Sequence, residues 1–198
     1  MITTIIISIV STWIMLTVII PFLAFPNSWL RKPEQQTSPY IQEIANQIKA
    51  KGGVKTLKNA FNFIVINYKG EEEKFKLILY YKLFNHDIEK ILKNRNDFLA
   101  YHQQNLLILN LLKETGLFED EDIETHWHIT KFLTLRQYLV VKASNQKFKV
   151  DPFNKKLENI KFNNLKYTIN SKIIWQKLKK LKKKYWTFGK KTTHLENH

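Results

Sequence analysis

Apolar spacing changes period once along this chain, and that change limits the possible fold more than any other feature. Leu107, Ile108, Leu111 and Leu112 recur as the stripe of a buried helix beginning near Tyr101, and Gly116 sits where a helix-ending glycine belongs. Upstream, Ile41, Ile44, Ala45 and Ile48, stopped by Gly52 and Gly53, and then Leu57, Phe61, Ile64 and Val65, form two more helical stripes. A short helix is expected from about Asp87 to Asn94, and the apolar stretch Phe75–Phe84 fits either helix or strand. Past an acidic loop expected over Glu119–Glu124, the pattern turns β-rich. Tyr138–Val141 and Phe148–Val150, separated by Ser144-Asn145-Gln146, read as a hairpin, with a further strand over Leu165–Ile169. Helices first and antiparallel strands after them predict an α+β domain.

The N-terminal end obeys different physics. No charged side chain precedes Arg31, and Ile5–Phe25 is apolar apart from scattered Ser and Thr and the single Pro21. Twenty-one helical residues span roughly 30 Å, the thickness of a bilayer's hydrocarbon core. A retained transmembrane anchor is expected over residues 1–25. A cleaved signal fits less well, because a basic leader and a small-residue cleavage site are both missing. Arg31 and Lys32 follow the span, so the positive-inside rule puts the remainder on the cytoplasmic face of a single-pass membrane protein. Residues 26–39 are polar and proline-punctuated, a linker; residues 40–170 form the domain, and residues 171–198 a tail.

Charge separates these parts further. The 198 residues carry 32 basic and 17 acidic side chains, a net of +15, but only three of the basic residues are arginine. From Phe153 onward 13 lysines face only Glu158 and Glu196, whereas the rest of the chain is close to neutral. The tail carries Ile174, Leu178, Leu181 and Tyr185 on one helical stripe. Lys177, Lys179, Lys180, Lys182, Lys183 and Lys184 occupy its other faces, with Trp175 and Trp186 at hand. Such a helix either docks on the sheet or lies on anionic lipid. Nucleic acid is the third choice, disfavoured by scarce arginine and the lack of a reader motif. With 44% apolar residues the chain can bury a core, and with no cysteine it can have neither a disulfide, nor a zinc-thiolate site, nor a thiol nucleophile.

Three short motifs in fixed order carry a resemblance. Tyr101–Gly116, reading Tyr-His-Gln-Gln-Asn-Leu-Leu-Ile-Leu-Asn-Leu-Leu-Lys-Glu-Thr-Gly, resembles the nucleophile helix of the transglutaminase-like superfamily. Arg136–Val141 resembles that family's histidine-bearing strand, and Phe148-Lys149-Val150-Asp151-Pro152 its closing Val-Asp-Pro. The resemblance covers about residues 40–170 and implies a papain-like core with a Cys-His-Asp site for acyl transfer at an amide. In such a site the helix N-terminus and the imidazole stabilise a thiolate, and the carboxylate orients the imidazole. Asp151 matches the aspartate, but the cysteine position falls on Tyr101 and the histidine position on Arg136. A phenol is no thiolate, and a guanidinium stays protonated, so it cannot act as a base. The resemblance therefore implies a pseudoenzyme, a membrane-tethered binding or scaffolding module gripping a protein or peptide in the vestigial groove, with no cofactor. Arg136 and Asp151 are then expected to pair with each other.

An enzyme with a relocated site is the competing expectation, a hydrolase or acyl transferase using His102, His126 or His128. His102 neighbours Tyr101 but points about 100° away on a helix. His126 and His128 fall on one face if their segment is a strand. They are read as a solvent-facing pair or, with Glu124, as a weak metal candidate.

Overall fold

The computed structural model describes residues 2–19, 35–70, 85–129, 135–160 and 169–170. Helix α1 (Ile2–Ile14) runs into a π-helical turn, Met15–Ile19. Large apolar side chains from Ile5 to Ile19 are exposed on every side of it. The remainder of the expected anchor lies outside the described residues. Among the described residues no helix is long and apolar enough to cross a membrane.

Four helices form the first layer of the domain. Helix α2 (Pro39–Ile48) starts at Ser38, whose hydroxyl accepts from the Ile41 N–H, and Pro39 occupies the first turn, where a missing N–H costs nothing. Helix α3 (Gly53–Asn67) follows Gly52, whose φ of 104° an L side chain rarely adopts. Helix α4 (Ile88–Lys93) is capped by the Asp87 carboxylate, which accepts from the Lys90 N–H. The Tyr68 hydroxyl, just past α3, donates to the Ile91 carbonyl at 3.3 Å and so ties α3 to α4. Burial pushes its phenol well above the ordinary value, against the opposing effect of Arg95, which keeps it a donor. Helix α5 (Tyr101–Glu114) is central and packs on α2, α3 and the sheet. Leu107, Ile108, Leu111 and Leu112 are fully buried, as their spacing predicts.

The second layer is a five-stranded antiparallel sheet in the order β4-β3-β2-β1-β5. Its strands are β1 (Ile123–Ile129), β2 (Leu135–Ala143), β3 (Gln146–Asp151), β4 (Lys156–Asn159) and β5 (Ile169–Asn170). The β2–β3 hairpin turns at Ser144 and Asn145 alone, both at positive φ (47° and 63°), the tight two-residue turn that matches strand twist. Gln146, expected in the turn, already pairs with Ala143. The acidic loop is likewise shorter than expected, since β1 begins at Ile123 and includes Glu124. Of the expected strand over 165–169 only Ile169 is described, in β5, and residues 75–84 lie outside the described part. Leu139, Val141, Ala143, Phe148 and Val150 join the helices in one core, closed by Phe118 and Ile123. The α+β architecture, helices followed by an antiparallel sheet, is that of the sequence reading.

Candidate functional site

Three expected site residues converge on one short turn. Asp151 ends β3, and its carboxylate starts the 3-10 turn Pro152–Asn154 by accepting from the Asn154 backbone N–H at 3.2 Å. Its other oxygen accepts from Asn154 Nδ2 at 2.6 Å. Arg136 Nη1 donates to Asn154 Oδ1 at 3.1 Å. The link expected between Arg136 and Asp151 therefore runs through Asn154, whose amide faces the cation with its oxygen and the carboxylate with its nitrogen. Tyr101, half-buried at the first position of α5, sets its ring edge-to-face on Phe153 in the same turn, centroids 5.9 Å apart at 87°. Phe153 in turn meets Phe98 edge-to-face at 6.4 Å. Gly70 brings the chain against this turn: a Cβ built there would stand 2.7 Å from the Phe153 carbonyl oxygen.

Strand parity then divides the site. Asn105, one helical turn after Tyr101, donates from Nδ2 to the Gln137 carbonyl at 3.0 Å and to Gln137 Oε1 at 3.4 Å. Gln137 thus faces α5, as do Leu139 and Val141, and Arg136 lies on the opposite face with Tyr138. Gln137 Nε2 and Asn105 Oδ1 are buried without hydrogen-bond partners.

That opposite face also gathers the histidines. His128 lies directly across from Arg136, and His126 across from Tyr138. The His126 ring stacks on Tyr138 at 5.7 Å, His128 tilts against it at 5.6 Å, and Lys149 Nζ stands 4.7 Å from the same ring centre. His126 Nε2 meets Glu124 Oε2 at 2.9 Å. His126 is buried and His128 half-buried, which corrects the solvent-facing reading. Burial holds the His128 pKa below the ordinary histidine value; Lys149 and Arg136 add to this, and Asp151 opposes it. Among the described residues no group of three or more His, Cys, Asp or Glu side chains could hold a metal ion. His102 is fully buried, its ring against Tyr101 (5.7 Å) and His86 (6.2 Å). Lys177, Lys179, Lys180, Lys182, Lys183, Lys184, Trp175 and Trp186 lie outside the described residues.

Sequence reasoning passed over Asn154, Gln137 and Asn105. One local signal existed for the first: Asp-Pro-x-Asn is an acidic cap with proline at the next position. For the buried amide pair, composition and periodicity held no cue.

No protein-family model matches the chain, and neither does any curated protein. Among solved structures it is similar to LapG of Legionella pneumophila, with 12% identity and a TM-score of 0.40, over 61% of this chain and 75% of that one. A likeness of that size is distant and concerns fold alone.

Proposed function

We propose that this is a membrane-tethered, non-catalytic domain of transglutaminase-like design that binds a protein or peptide segment beside the N-terminus of α5. One observation carries the reading. The helix-start position where such a design needs a thiolate holds Tyr101, its ring fixed against Phe153, in a chain with no cysteine. Arg136, at the position of the base, is engaged with Asn154 and stays protonated, so it cannot accept a proton. What remains is a helix start, an aromatic contact and a cation, parts that bind rather than cleave.

The tether is assigned to residues 1–25. Exposed Ile, Val, Trp, Met and Leu side chains around residues 5–19, with no charge among them, call for lipid or an equivalent apolar partner. The lysine-rich tail would add contacts with anionic lipid on the cytoplasmic side.

The test has two arms on the full chain. Incubation with amide donors should give no turnover and no covalent adduct. A photoreactive phenylalanine analogue replacing Tyr101 should capture a discrete partner when irradiated in native membranes. An acyl adduct on the purified chain overturns the reading. The His126–Glu124 contact favours one alternative, a histidine-dependent hydrolase, which requires an activity that His126→Gln abolishes.

A further inference from the structure

We propose that the exposed face of α3 docks the domain on an anionic lipid surface, through a lysine-lined concavity at its N-terminal end. Residues 44–70 contain five lysines and no acidic residue, although the chain before residue 153 is otherwise close to neutral. The helix sorts them. Within α3, Lys55, Lys58, Asn62 and Ile66 are the exposed positions, spaced by three and four so that they share one stripe, while Leu57, Ala60, Phe61 and Ile64 turn inward; Lys51 and Lys69, also exposed, flank the helix. Among the described residues no ion pair involves these lysines. Their charge is unspent within the described fold.

The stripe has a shape as well as a sign. Lys51, Gly52, Val54, Lys55 and Lys58 line a concavity of about 410 Å³ closed on one side by Ser144 at the hairpin tip. Further along, Ile66 is 77% exposed, an apolar side chain inside a cationic face. Cations with an interspersed aliphatic group suit phosphate headgroups over acyl chains. Nucleic acid suits the face less well, because no ring is offered for base stacking: Phe61 is buried and Phe63 lies under the Arg95 guanidinium at 5.6 Å. The docking uses the proposed tether only for proximity, and the two are separable.

Because the chain has no cysteine, Ser144→Cys gives one labelling site beside the concavity. The labelled full chain is mixed with phosphatidylcholine vesicles carrying a lipid-borne quencher, with or without about 30% phosphatidylserine, the anionic lipid that attracts basic segments. Quenching should depend on phosphatidylserine and fall away near 0.5 M salt, where the screening length drops to a few ångströms. Each lysine near such a surface is worth roughly fivefold in partitioning, so K51Q/K55Q/K58Q should weaken the anionic-dependent component on the order of a hundredfold with the fold intact by circular dichroism. Quenching unchanged in that variant overturns the proposal. So does release by millimolar inorganic phosphate, which would mark a site for the free ion. Flotation with phosphatidylcholine alone reports the tether. A chain that fails to float there, yet shows phosphatidylserine-dependent quenching that K51Q/K55Q/K58Q removes, loses the tether and keeps the docking face. A chain that floats on both without anionic-dependent quenching keeps the tether and loses the docking face.

Discussion

Adding one methyl group at Gly70 tests the packing that holds the candidate site together. A Cβ at this position would stand 2.7 Å from the Phe153 carbonyl oxygen, 3.3 Å from the Phe153 Cα and 3.4 Å from Gln104 Nε2. Close carbon–oxygen contacts in proteins stand at about 3.3–3.6 Å, so the methyl is roughly 0.6 Å too near. The obstructing atom is backbone, in a turn pinned by Asp151 and by the Tyr101 ring, and it cannot swing aside. Overpacking of this kind costs about 1–3 kcal/mol. For a chain of this size that is a fall in Tm of roughly 2–12 °C. Gly53 is the matched control. Its added Cβ would meet Phe118 and Ala143 side chains at 3.4 and 3.6 Å, ordinary contacts, at the start of α3. Gly53→Ala should therefore stabilise by about 0.4–1 kcal/mol through the unfolded chain. Both variants are melted in mild detergent with the full chain, the Tyr near-ultraviolet dichroism being followed alongside. Equal melting of Gly70→Ala and the parent, or parallel shifts of the two variants, would refute the reasoning.

Three more outcomes are expected. Asp151→Ala removes both acceptors of Asn154 and should cost about 1–3 kcal/mol in urea titration, with Asp151→Asn recovering part of the loss. Gln137→Met removes a buried donor that has no acceptor together with the Oε1 that takes the longer of two contacts from Asn105 Nδ2, whose 3.0 Å bond to the Gln137 carbonyl survives; stability should therefore change by less than about 1 kcal/mol, and a larger loss in the same titration would refute this. His128 is held neutral in the fold, mainly by burial, whereas the unfolded chain takes up a proton near pH 6.5. Its contribution to stability is complete above that pH and declines as pH falls from there toward the depressed folded value. Melting temperatures across this range should show a slope that His128→Asn reduces.

Much of the architecture could be read from local spacing. Helix α5 announces itself because Leu107, Ile108, Leu111 and Leu112 bury together and Gly116 takes a φ of 70°, and the hairpin does so because Ser144 and Asn145 accept positive φ. Strand β1 was obscured by Glu124, which reads as loop acid until His126 answers it across 2.9 Å. The site was legible as a set of residues and illegible as a geometry. Whether Arg136 or Gln137 faces the helix is a one-residue question of strand parity, and the pairing that answers it is non-local. The burial of His126 has the same origin, for the sheet stacks it on Tyr138 although Glu124 and His128, its neighbours on the same strand face, are polar.

Asn154 has one lasting consequence. A neutral amide that orients its oxygen to Arg136 and its nitrogen to Asp151 makes three positions answerable to one another. A change at any one leaves the other two mismatched. Drift at 136, 151 and 154 is then expected to be concerted.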